Sequence, residues 1–159
     1  MKFLYTLAFL MTFSVIVSAQ AIPDINVKTL NGETVRLLDY AENDKPTIIS
    51  FWATWCTPCK KELDAINDIY PDWVEDYGVE LLAITVDDAR QLAKVKPLVA
   101  QKGWEYTILS DMNKQSMQMM GFQTIPQTYL LDKSGNIVYT HSGYAPGDEY
   151  ELEDQLKKL

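Results

Sequence analysis

The chain holds one histidine and two cysteines in 159 residues. That shortage excludes a good deal. A structural zinc site takes four ligands, and Cys56, Cys59 and His141 cannot fill one. Covalent haem attachment reads C-x-x-C-H, and Lys60 stands where the histidine belongs. Basic residues are also few, 14 against 22 acidic, for a formal net charge of −8. Such a balance gives little means to neutralise phosphates, so nucleic acid is not an expected partner. Repeats, low-complexity tracts and linkers are missing too. What is left is one domain of ordinary globular composition, 47% hydrophobic and 23% charged.

Long apolar runs are absent except at the start. MKFLYTLAFLMTFSVIVSAQA carries one cation, Lys2, then an apolar run from Phe3 to Val17, then small residues. This is the layout of a secretory signal peptide over residues 1–21, ending A-x-A at Ala21 or cut after Ala19. The run falls short of the about 20 residues that a membrane span needs, which leaves an uncleaved anchor as the lesser alternative. No cysteine lies near the cut, so a lipid-anchored form is excluded. Residues 22–159 are then the folded, exported domain.

Within it, Asp24 to Leu38 reads as two extended runs around Asn31-Gly32, a strong hairpin turn. AENDKP is a polar connector. Thr47 to Ala53 is continuously apolar, as a strand buried on both faces must be. The next helix starts near Cys56, with Leu63, Ile66, Tyr70, Trp73, Val74 and Tyr77 as its apolar stripe. Pro58 suits a first turn, Pro71 is expected to kink or interrupt the helix, and Gly78 to end it. Val79 to Val86 is a second buried strand. Asp87-Asp88 are expected to cap a helix carrying Leu92, Val95 and Val99 that stops near Gly103. A short strand over Tyr106–Leu109, a helix over Asp111–Met120, a hairpin of Gln127–Leu131 with Asn136–His141, and a last helix bearing Leu152, Leu156 and Leu159 complete the order. Lys157 and Lys158 suit that helix's negative end. Strands alternating with helices argue for an α/β fold, a mixed sheet covered on both faces.

FWATWCTPCKKE, Phe51 to Glu62, holds both cysteines. A structural disulfide gains by closing a long loop, and this pair closes almost none. A buried strand instead delivers Cys56 to a helix N-terminus, where free N–H groups and the helix dipole favour an anion. Placement there lowers a thiol pKa and raises its thiolate fraction. Lys60 and Lys61 stand in the next turn. Cys59 lies about one turn on and can reach back, so the spacing describes a nucleophile and a resolving thiol. Copper held by Cys56, Cys59 and His141 is a competing reading. Met112, Met117, Met119 and Met120 read as core with one or two exposed tips rather than as copper ligands. His141 reads as structural or solvent-facing.

These residues resemble the thioredoxin fold. The resemblance rests on FWATWCTPCKKE and on GFQTIPQTYLLD, Gly121 to Asp132, in which Ile125-Pro126 matches the cis-proline beside the dithiol. PDINVKTLNGETVRLLDY, an N-terminal β-hairpin extension, makes the chain similar to the exported TlpA/ResA/DsbE-like branch. The resemblance implies a mixed central sheet flanked by helices and a redox-active Cys56–Cys59 disulfide, with no metal and no other cofactor. Cys56 attacks a substrate disulfide, and Cys59 resolves the mixed disulfide. Trp55, Thr57, Pro58, Ile125 and Pro126 border the substrate. Many thioredoxins place a buried aspartate on the central strand, where this chain has Ser50. Some of the exported branch place a glutamate between the cysteines, where it has Thr57. Glu62 is the candidate proton acceptor, although on the helix it also reads as a solvated residue, and Asp87 is a second candidate.

The branch further implies a periplasmic monomer that reduces substrate-protein disulfides with electrons from a membrane-bound thiol donor. Apocytochrome cysteines, in cytochrome c maturation, are among the expected substrates. A disulfide-forming oxidant and a copper metallochaperone or redox-silent binding module are the alternatives. A peroxidase is disfavoured: those enzymes typically carry Thr or Ser three residues before the reactive cysteine, and Ala53 stands there.

Overall fold

A computed structural model describes residues 20–159. Most of the segment read as a signal, 1–19, lies outside the described residues. The strands are β1 Gln20–Ala21, β2 Asn26–Thr29, β3 Thr34–Arg36, β4 Thr47–Trp52, β5 Glu80–Thr85, β6 Thr107–Ser110, β7 Gln127–Leu131 and β8 Asn136–Ser142. The helices are α1 Leu38–Ala41, α2 Thr57–Tyr77, α3 Val95–Lys102, α4 Gln115–Met120 and α5 Asp148–Leu156. One sheet runs β1-β8-β7-β4-β5-β6-β2-β3. β4, β5 and β6 are parallel, and the remaining pairings are antiparallel. This is the expected thioredoxin-like mixed sheet with its hairpin extension, β2–β3, docked on the edge of β6.

β4 is buried along its whole length because it lies inside the sheet and is covered on both faces. Alternation sorts its side chains. Phe51 meets Phe122 and Tyr129 on one face. On the other, Trp52 packs edge-on against Trp104, and Ser50 faces α2. The register pairs Ser50 with Thr128 and Thr128 with His141, so these three project from the same face.

Several expectations need correction. α2 runs through Pro71 without interruption. Proline forfeits one N–H bond there, but tertiary contacts on both sides outweigh it: Trp73 is buried, and the Tyr70 hydroxyl accepts the Leu81 N–H at 3.2 Å. Val74 is 44% exposed and lies off the buried stripe. Gly78, Gly103 and Gly121 end their helices in the left-handed conformation as expected. The helix expected from Asp111 starts at Gln115, because Asp111 spends its carboxylate capping the Gln115 and Ser116 N–H groups. Asp88 caps the turn before α3 through Arg90 and Gln91, but Asp87 does not cap. α5 ends at Leu156, so Leu159 is exposed rather than on its buried face.

Candidate active site

Cys56 is the N-cap of α2, with extended backbone, and Thr57 and Pro58 open the helix. The Cys59 N–H donates toward Cys56 Sγ at 3.3 Å. The two sulfurs are joined in a disulfide. Cys59 is fully buried and Cys56 nearly so. Cys56 stands at the helix tip with Cys59 one turn behind it, and at 4% exposure Cys56 is buried rather than exposed as expected. Trp55, 57% exposed, stands beside Cys56. The Ile125–Pro126 bond is cis, and Cys56 Sγ lies 3.8 Å from the Ile125 carbonyl oxygen. The Pro126 carbonyl accepts the Gly143 N–H at 2.9 Å, which fixes the loop. Trp55, Lys114, Met117 and Ile125 line an open groove of about 350 Å³ beside the dithiol.

Asp87 holds the loop that precedes Cys56. Its carboxylate accepts the Thr54 N–H at 2.8 Å, the Thr54 hydroxyl at 3.0 Å and the Thr85 hydroxyl at 2.7 Å. It anchors the loop, in place of the expected capping role. Lys60 donates to the Thr54 carbonyl at 3.0 Å and so braces the same loop.

Glu62 departs most from its sequence reading. It is 4% exposed, not solvated. Being three residues after Cys59, it shares the inward face of α2 with that thiol. Its oxygens accept Ser50 Oγ at 2.8 Å and Thr128 Oγ1 at 2.7 Å. Ser50 occupies the position where the resemblance expects a strand aspartate, so here a carboxylate reaches that spot from the helix instead. Burial pushes Glu62 from 4.5 up to about 7, against the pull of the two hydroxyl bonds and of His141. Thr54, Thr85 and Thr128, silent in the sequence, join Ser50 as the hydroxyl donors that hold the two carboxylates. The sequence signal for the burial of Glu62 is its i+3 spacing from Cys59 and its adjacency to Leu63.

His141, the third ligand of the copper reading, is engaged elsewhere: Nε2 lies 3.0 Å from Asp148 Oδ2 and Nδ1 3.3 Å from the Tyr139 hydroxyl. Ala53, three residues before Cys56, is fully buried and brings no hydroxyl. Among the described residues no helix is long and apolar enough to cross a membrane.

Known proteins place this arrangement. The model of the AhpC/TSA family matches residues 18–140. The thiol-disulfide oxidoreductase ResA of Bacillus thuringiensis subsp. konkukian is 31% identical over 137 residues, 86% of this chain and 75% of ResA. The solution structure of an uncharacterized thioredoxin-like protein from Porphyromonas gingivalis superposes with a TM-score of 0.77 at 40% identity, covering 87% of this chain and 90% of that one. A thiol:disulfide interchange protein of the DsbE type from Chlorobium tepidum gives 0.77 at 25% identity, covering 88% and 95%. The chain belongs to the AhpC/TSA family and is a thioredoxin-like thiol-disulfide oxidoreductase.

Proposed function

We propose that the protein is an exported, periplasmic reductase of protein disulfides. The Cys56 thiolate attacks one sulfur of a substrate disulfide. A Cys56–substrate bond forms, and the other substrate sulfur leaves as a thiolate. Cys59 gives its proton to the Glu62 carboxylate and attacks the Cys56 sulfur. The Cys56–Cys59 bond closes, the second substrate thiolate leaves, and two electrons have passed from the dithiol to the substrate. Trp55, Thr57, Pro58, Ile125 and Pro126 border the substrate, and the Ile125 backbone pairs with an extended segment of it. A membrane-bound thiol donor restores the dithiol. Exported proteins, apocytochromes among them, are the substrate class, and the working unit is a monomer.

One observation carries the mechanism: a buried carboxylate one helical turn beyond the buried resolving thiol. Held at about 7, Glu62 can both take and release a proton near neutrality. What Cys56 lacks supports this direction of electron flow. A strong oxidant is one whose reduced form is specially stabilised. Here Thr57-Pro58 supplies no histidine, and Lys60, in the first turn of the helix, is turned to the Thr54 carbonyl. A cut after Ala19 is the favoured processing site, because Gln20 and Ala21 pair with Ile137 and Asn136 and a cut after Ala21 removes that strand.

The test is a redox titration of Cys56–Cys59 in defined thiol/disulfide buffers, read by alkylation of free thiols. A potential near that of thioredoxin, about −270 mV, is expected. One near the oxidant's about −120 mV overturns the reductase reading.

A further inference from the structure

Glu62 is only 4% exposed, and a base that cannot release its proton works once. On its other side lies a small cavity of about 10 Å³, room for one water. Glu62, Thr128, His141, Tyr144, Asp148 and Glu149 border it. Thr128 donates to Glu62 and is the cross-strand partner of His141, so sequence register itself sets the imidazole beside the glutamate. His141 and Asp148 are each about a quarter exposed at the side chain. Together they reach from the cavity to the surface.

We propose that the His141–Asp148 pair, through this cavity, is the route by which Glu62 exchanges its proton with solvent. The inference rests on the reading of Glu62 as the base for Cys59. The groups facing Glu62 leave this pair as the outlet. On its own helix there is Cys59, the donor. Tyr106, ahead of β6, donates to the Leu63 carbonyl. Tyr144, in the loop after β8, donates to Glu149, which also accepts the Gly147 N–H. Burial and the adjacent Glu149 push the Tyr144 phenol up to about 12, so it stays a donor. Asp148 Oδ2 accepts Ala145 N–H and faces His141, while among the described residues its Oδ1 makes no protein hydrogen bond. That oxygen is the acceptor left for a bridging water.

The imidazole is bonded on both sides: Nδ1 lies 3.3 Å from the Tyr139 hydroxyl, which donates to Glu151 at 3.0 Å, and Nε2 lies 3.0 Å from Asp148 Oδ2. A hydroxyl can donate or accept, so the ring keeps a partner at Nδ1 when a proton passes. The proton lost by Cys59 thus moves from Glu62 through water to the pair and leaves as a hydrated proton. No bond to carbon or sulfur is altered. His141 and Asp148 act through Glu62 and are positioning residues.

The test follows repeated reduction of oxidised glutathione across a range of pH, with excess dithiothreitol restoring the dithiol so that Glu62 must release its proton in every cycle. His141→Gln is expected to slow turnover about fivefold to tenfold near neutrality, less than the hundredfold or more that loss of a general base costs. Its alkylation at Cys56 stays at the wild-type rate. Imidazole added to His141→Ala restores the rate, which a merely structural role does not predict. Tyr139→Phe keeps the packing and carries the test if the histidine variants fail to fold; it is expected to flatten the pH profile in the same range. Wild-type profiles for His141→Gln, Asp148→Asn and Tyr139→Phe, alongside an altered one for Glu62→Gln, overturn the route and leave the base standing. A wild-type profile for Glu62→Gln itself removes the base and the route together.

Discussion

Two buried carboxylates flank the segment that carries Cys56 and Cys59, and they are held by different kinds of donor. Asp87, packed against the loop that precedes it, accepts a backbone N–H and two hydroxyls. Glu62, after it, accepts two hydroxyls. A backbone N–H can only donate, so whatever it faces must remain an acceptor. A serine or threonine hydroxyl can donate or accept, so Ser50 and Thr128 can follow Glu62 through a change of protonation without leaving a buried group unpaired. The difference separates an anchor from a base. Asp87 ties the end of β5 to the loop that aims Cys56. In the proposed mechanism Glu62 sits where a proton must come and go.

The comparison breaks most visibly at Asp87. Asp87→Ala strands the Thr54 N–H, the half-buried Thr54 hydroxyl and the buried Thr85 hydroxyl, and a loss of about 3–5 kcal/mol in stability by urea denaturation is expected. A loss under about 1 kcal/mol contradicts the anchor role, because one unpaired buried donor alone costs more than that. Asp87→Asn keeps an acceptor for the N–H and is expected to fall between.

Glu62→Gln is expected to act the other way, and only above a certain pH. The folded protein holds the Glu62 proton up to about 7, whereas the ordinary value is 4.5. Between those limits the folded state binds more protons than the unfolded state, so wild-type stability falls as pH rises through the window and levels off above it. The span is worth about 3 kcal/mol. Glutamine carries no charge to bury, so the difference between variant and wild type should open in the variant's favour from pH 4.5 to 7. In the same variant the closure of Cys56–Cys59 should slow about a hundredfold near neutrality. A stability difference that does not change with pH would remove the buried-base description.

Much of this arrangement is legible in the sequence, and its failures have a common cause. The β4 strand, the N-terminal placement of Cys56, the glycine helix ends and both hairpins follow from local pattern, because periodicity and turn chemistry are local. What local pattern cannot show is who waits across the gap. Glu62 reads as solvated because a charged helix residue usually is; only Ser50 and Thr128, on two strands, make its burial tolerable. Pro71 reads as a break because the bond it forfeits is local, while the contacts of Tyr70 and Trp73 that outweigh it come from elsewhere. Asp87 resembles a cap until Thr54 folds back onto it. His141 and Asp148 meet only when α5 closes over β8.

The smallest effect sharpens the comparison most. Ser50→Ala and Thr128→Val each remove one donor from the Glu62 carboxylate and leave the protein near its native volume. Each donor favours the charged form, so removing either should raise the Glu62 midpoint above about 7. A bond worth about 1 kcal/mol moves it by somewhat less than one pH unit. The pH profile of Cys56–Cys59 closure should shift upward with it in both variants, with little change in the rate on its alkaline plateau. Asp87→Asn should leave the midpoint of that profile in place, since it alters the aim of Cys56 and not the proton of Cys59. Were Ser50→Ala to lower the plateau and leave the midpoint unmoved, its hydroxyl would be aligning the sulfurs. The two carboxylates would then differ in position and no longer in kind.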